Sequence, residues 1–184
     1  MYDFVEKCEK YSQSFHLTCY NYPMFIYPII VVAIIAADQI TKVMVRNNIA
    51  LGERIPVISD WMNFTYIRNE GAAFSMFSGN VLVTVVLTSL LLVFCLAFVI
   101  HEVKAHETFL AICMTCVLGG GLSNMYDRIH FGYVTDMISC GSFAIFNVAD
   151  MFVTCGCFLA VFYLLFTLKD EKNAENSKKE GNDE

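Results

Sequence analysis

The chain has 184 residues, 57% hydrophobic and 16% charged, with a mean hydropathy of +0.54, against roughly 45–50% apolar and about 25% charged in an average soluble domain. The length suits one domain, and the apolar excess lies in long runs almost free of charge, which excludes an ordinary soluble protein and makes a multi-pass membrane protein the expectation. The net charge of −6 says little about partners, because six of the acids follow Leu168, and no basic stripe points to nucleic acid.

Eight cysteines could suggest a disulfide framework, but Cys95, Cys113, Cys116, Cys155 and Cys157 fall inside apolar runs, where cysteine behaves as a small hydrophobe. Cys113 and Cys116 match C-x-x-C, yet a redox motif needs a polar, accessible setting that this run lacks.

Residues 1–21 are polar, with Phe4, Cys8, Tyr11 and Phe15 at helical spacing. A surface-lying helix and a flexible leader fit them equally. Asp3, Glu6 and Glu9 occupy the region that a cleavable signal peptide would make basic. The first span is expected at about residues 22–45. Near its far end Asp38 and Lys42, at i and i+4, share a helix face with the acid placed first. An aspartate within a span is costly, so a role in a site is favoured over an interfacial pair.

Residues 46–75 form a polar connection. Trp61 to Arg68 loosely alternates large apolar and polar side chains, as a surface strand does, and Trp61, Phe64 and Tyr66 suit the interfacial belt. Asn69 to Ser75, NEGAAFS, reads as a turn whose small residues, Gly71 among them, admit close approach of a ligand. Further spans are expected at about 80–100, 108–124 and 143–168. The third closes with Gly119, Gly120 and Gly121, which allow tight helix–helix approach. Residues 169–184 are charged, lack aromatics and read as a disordered tail. The expected fold is an all-α membrane protein of four transmembrane helices, with a small extracytoplasmic β-containing connection between spans 1 and 2. The organisation is a leader (1–21), a four-span domain (22–168) and a tail (169–184).

Four crossings put the first and third connections on one side of the membrane. Asp38, Lys42, the Asn69–Ser75 turn, Asn124, Asp127, Arg128, His130, Asp136, Asn147 and Asp150 therefore gather at one face. Seven lysines (7, 10, 104, 169, 172, 178 and 179) lie on the side of the termini. Arg46, Arg54, Arg68, Arg128 and Lys42 lie on or border the other. That bias predicts both termini inside and the polar cluster facing outward.

Asp136 and Asp150 have thirteen residues between them, enough for a hairpin returning to the same depth. Two carboxylates held close at a low-dielectric edge tend to share a proton. One can then act as base toward water while the other donates to a scissile carbonyl. His130 alone makes no metal site, and no histidine pairs evidently with Ser75, Ser139 or Cys140 for nucleophilic catalysis. On the residues alone, aspartyl hydrolysis, a structural network and an ion path through the bundle all stay open.

Five blocks in order resemble the lipoprotein signal peptidases (signal peptidase II) of bacteria: DQITK at 38–42, NEGAAFS at 69–75, GGGLSNMYDR at 119–128, GYVTDMI at 132–138 and FNVAD at 146–150. The resemblance covers about residues 34–156. It implies a membrane aspartyl protease of the bacterial cytoplasmic membrane, both termini cytoplasmic, that cuts the signal peptide just before a diacylglyceryl-modified cysteine. Asp136 and Asp150 match the catalytic aspartates, and Asp38, Lys42, Asn69, Gly71, Asn124, Arg128 and Asn147 match blocks that line the site. The expected partners are lipidated prolipoproteins and membrane lipid, for a monomer using no metal, no cofactor and no nucleic acid. Ser123 stands where the family usually has glycine, and Thr135 and Met137 flank the first aspartate where Val and Phe are common. The connection from Asp136 to Asp150 is short beside many relatives.

Overall fold

A computed structural model describes residues 24–58, 61–71, 80–105, 107–141 and 144–180, with side chains through Lys169. The expectations placed on residues 1–21 and on Ser75 lie outside the described residues. Four helices follow in order: α1 (Ile26–Asn48), α2 (Val81–Lys104), α3 (Thr108–Phe131) and α4 (Val148–Glu180). Each is long and apolar enough to cross a membrane.

The boundaries depart from hydropathy where local capping chemistry prevails. α3 was expected to end near Asn124 but runs to Phe131. It stops at Gly132, whose φ of 79° is left-handed and whose N–H returns to the Arg128 carbonyl, the usual glycine stop. Asn124, Asp127 and Arg128 therefore sit in ordered helical turns. α4 starts at Val148, five residues later than expected. Asn147 caps it: its Oδ1 accepts the Asp150 N–H at 2.9 Å, and Asp150 Oδ2 accepts the Asn147 N–H at 3.2 Å. This reciprocal pair is a capping box. The α4 backbone also continues to Glu180, through a segment whose composition predicts disorder. Its Glu, Lys and Ala residues are good helix formers.

α3 is the central helix, and its glycines show how. Consecutive helical residues point about 100° apart, so Gly119, Gly120 and Gly121 face three neighbours. A Cβ on Gly119 would meet the Ile34 side chain of α1 at 3.2 Å. On Gly120 it would meet the Ala149 carbonyl of α4 at 2.5 Å, and on Gly121 the Leu92 side chain of α2 at 2.6 Å. Lower down, Gly156 of α4 lies equally close to the Cys113 carbonyl, at 2.6 Å. Small residues are what let transmembrane backbones approach so closely. Cys113 and Cys116 are free thiols within this packing.

The connections between helices build one four-stranded antiparallel sheet in the order β1 (Arg54–Ile58), β2 (Met62–Asn69), β3 (Val134–Cys140), β4 (Ala144–Phe146). The expected β structure between spans 1 and 2 supplies β1 and β2, and the connection between α3 and α4 adds the other half of the sheet. Ile67 pairs with Asp136 and Asn69 with Val134. A small core of Val45, Tyr66 and Met137 seats the sheet on the end of α1.

Candidate functional site

Asp136 lies on β3, and a single residue, Asn147, links it to Asp150. Asn147 Nδ2 donates to Asp136 Oδ1 at 2.8 Å and to Asn124 Oδ1 at 3.1 Å, while its backbone N–H and Oδ1 hold Asp150 through the capping box. The second oxygens are also engaged. Asn69 Nδ2 donates to Asp136 Oδ2 at 2.9 Å, and Asn124 Nδ2 to Asp150 Oδ1 at 2.8 Å. Three asparagines thus clamp two carboxylates, each asparagine coming from a different part of the chain.

Burial pushes the Asp136 carboxyl up from 3.8 to about 6. The hydrogen bond from Asn69 opposes that shift, and the negative charge of Asp150 adds to it. A carboxyl that changes protonation near neutrality, beside a second carboxylate, suits acid–base work.

Beneath the clamp lies a charge network with no exposed surface. Lys42 Nζ reaches Asp38 Oδ2 at 2.7 Å, Asp127 Oδ2 at 3.1 Å and Asn124 Oδ1 at 2.8 Å, which uses its three hydrogens. Asp38 accepts the Ala149 N–H at 2.9 Å and the Ser123 hydroxyl at 2.7 Å. Asp127 accepts the Thr135 N–H at 3.1 Å and the Gln39 amide at 3.0 Å. Asp38 therefore holds the residue before Asp150, and Asp127 holds the residue before Asp136. Both Asp38 and Lys42 are fully buried. The resemblance placed them among the residues lining the site, and the structure sets them behind the clamp, without exposed surface.

Arg128 lies beside the clamp. Its Nη2 donates to the Gly71 carbonyl at 3.1 Å and its Nη1 to the Asn124 carbonyl at 3.5 Å, while Nε is buried without a partner among the described residues. The Gly71 N–H is held by Asn69 Oδ1 at 3.1 Å. All nine residues singled out in the sequence thus meet at one end of the bundle. Sequence reasoning assigned no role to Asp127, Gln39 or Ser123 in the network. The available signal was that Ser123, Asn124 and Asp127 recur at i, i+1 and i+4 on α3, one face of a helix. Among the described residues no three His, Cys, Asp or Glu side chains converge to hold a metal ion.

The family described as signal peptidase (SPase) II matches residues 30–166. The chain is 35% identical over 137 residues to a lipoprotein signal peptidase of Halothermothrix orenii, covering 74% of this chain and 92% of that protein. It is 36% identical over 146 residues to one from Lactococcus lactis subsp. cremoris, covering 78% and 95%. Among solved structures, a bacterial membrane enzyme superposes with a TM-score of 0.73 at 30% identity, over 83% of this chain and 93% of the other.

Proposed function

The chain belongs to the signal peptidase II family, proteases that remove signal peptides from prolipoproteins, and from that premise we propose that Asp136 and Asp150 are its catalytic pair and that it cuts just before a diacylglyceryl-modified cysteine. The observation that carries this reading is Asn147, whose side-chain amide donates to Asp136 Oδ1 and whose backbone N–H donates to Asp150 Oδ2, so that with Asn69 and Asn124 every carboxylate oxygen is hydrogen-bonded at the edge of an apolar bundle. In that setting the pair holds one proton between them. The ionised member takes a proton from water as the water oxygen attacks the scissile carbonyl carbon, and the protonated member gives its proton to the carbonyl oxygen. Collapse of the tetrahedral species expels the amine, which leaves with the proton taken from water.

Asn69, Asn124 and Asn147 orient the two carboxyls, and Gly71 and Arg128 form the neighbouring wall. Arg128, half-buried beside the clamp, is the guanidinium placed to meet the substrate backbone. Asp38 and Lys42 act from behind, through Ala149 and Asn124. The protein works as a monomer on lipidated precursors within the lipid bilayer. Its peptidase domain spans residues 22–168 of a bacterial cytoplasmic membrane protein, with the leader 1–21 and the tail 169–184 both cytoplasmic. The even number of spans and the lysine bias support that orientation.

The test is cleavage of a purified lipidated precursor by Asp136→Asn, Asp150→Asn and the double variant. Each single change should remove nearly all turnover, and the double should be little worse, because the pair acts as one unit. A folded Asp150→Asn protein that keeps an appreciable fraction of the parent rate would overturn the assignment.

A further inference from the structure

On the other side of β3 from the clamp, a ladder of rings and cations runs along the edge of the bundle. Tyr126 stacks on His130 with centroids 5.1 Å apart, His130 meets Phe131 at 5.4 Å, and Phe131 meets Tyr133 at 6.0 Å. Arg46 sits over Phe131 at 4.6 Å and Arg68 over Tyr133 at 4.9 Å. Arg68 is also fixed edgewise, its Nε donating to the Tyr66 hydroxyl at 3.1 Å, and that hydroxyl lies 3.1 Å from the Tyr133 hydroxyl. A planar guanidinium laid on one ring and hydrogen-bonded to a second keeps its outer N–H groups aimed in a set direction.

The charge balance of this corner singles out Arg68. Lys42 and Arg46 are answered by Asp38 and Asp127, with Arg46 Nη1 4.0 Å from Asp127 Oδ1. Among the described residues no carboxylate comes within ion-pair distance of Arg68, Glu53 and Glu70 included. Its positive charge stands exposed on an aromatic platform. The depth is also set. Phe131 closes α3, Arg46 lies in the last turn of α1, and Tyr126 and Ile129, near the end of α3, are exposed. Aromatic rings at the ends of spans mark the headgroup level of a bilayer.

We infer that Arg68, on its Tyr133–Tyr66 platform and flanked by Arg46, binds the phosphate of an anionic phospholipid at the membrane face that carries the catalytic clamp. Two phosphate oxygens suit the fork of a guanidinium, while Ile129 and Phe131 offer apolar surface to the acyl chains beside it. A zwitterionic lipid presents the same phosphate with an ammonium attached, which offsets its charge and weakens its attraction to Arg68. The site therefore favours lipids of net negative charge.

The test places the whole protein in nanodiscs of phosphatidylcholine containing a minority of phosphatidylglycerol. Lipids that remain bound on release are read by native mass spectrometry. Phosphatidylglycerol should be enriched over its share of the bilayer, and Arg68→Gln should lower that enrichment about fivefold, the effect of one basic residue near a membrane surface. Tyr133→Phe keeps the ring and should keep most of the enrichment, whereas Tyr133→Ala should lose it. In pure phosphatidylcholine the Arg68→Gln protein should cleave a lipidated precursor at the parent rate, which also shows that it folds. No enrichment in the parent, or unchanged enrichment in Arg68→Gln, overturns the proposal. So does a loss of cleavage in pure phosphatidylcholine with enrichment intact, because Arg68 would then read the polypeptide.

Discussion

Gly120→Ala should cost turnover far more than a methyl group on a remote helix ordinarily does. The added Cβ would stand 2.5 Å from the Ala149 carbonyl oxygen and 2.8 Å from Val153 Cγ2. Close-packed interiors tolerate no such approach, so α3 and the start of α4 must part by about 0.9 Å to restore ordinary contact. Ala149 is the residue before Asp150, whereas Asp136 stays with the sheet. The displacement therefore falls on the relation between the two carboxyls. A misplacement of about 1 Å costs about a hundredfold in rate, so a fall in kcat of nearly that size is expected. Overpacking should also cost about 1–3 kcal/mol of stability. The matched control is Gly121→Ala, one residue away. There the obstacle is the far end of the Leu92 side chain at 2.6 Å, which can rotate aside and which lies toward α2, away from the dyad. Single-turnover cleavage of a purified lipidated precursor, with thermal unfolding of each variant, separates the two. If folded Gly120→Ala keeps the parent kcat, or Gly121→Ala loses as much, close helix approach does not set the dyad.

Three further outcomes are expected. Lys42→Met leaves two buried carboxylates without their shared cation and should destabilise the protein by about 3–5 kcal/mol, read as a large drop in Tm. An unchanged Tm would mean that the network carries no net charge stabilisation. Because the folded Asp136 pKa lies near 6, above its ordinary value of 3.8, the group's contribution is most favourable below pH 4 and is lost as pH rises to about 6. Asp136→Asn should remove that pH dependence, up to about 3 kcal/mol, and parallel stability curves for the two proteins between pH 4 and 6 would contradict it. With both termini inside, an impermeant thiol reagent should label half-buried Cys140 from outside intact cells in a variant lacking the other cysteines, and labelling only after lysis would reverse the orientation.

Much of the architecture was legible in the chain because the spans are written in hydropathy, a signal summed over about twenty residues. Of the sheet, only β2 was legible, from the loose alternation between Trp61 and Arg68. β1 is exposed along its whole length and β3 is buried at nearly every position, so neither shows the two-residue alternation that betrays a half-buried strand. The carboxyl pair was legible from its residue types and the parity of the spans. The network behind it was not: Lys42 meets Asn124 across 82 positions and Asp38 meets Ala149 across 111. Local spacing gave Lys42 its partner Asp38, and only the fold gave it Asp127. The glycine triplet announced close packing but not that each residue faces a different helix.

The four-residue spacing of Asp38 and Lys42 bears on how such a protein can be made. A lone charge entering a bilayer is expensive, but these two lie on one face of α1 with 2.7 Å between their charged atoms, so the first span can enter as an electrically neutral unit. Asp127 arrives later, on the third span, at a lysine already in place. Asp150 comes last, at the start of the final span, where Asp38 accepts the N–H of the residue beside it. It follows that the partly synthesised chain carries the proposed pair incomplete until the fourth span is made, with Asp150 the last of its members to arrive.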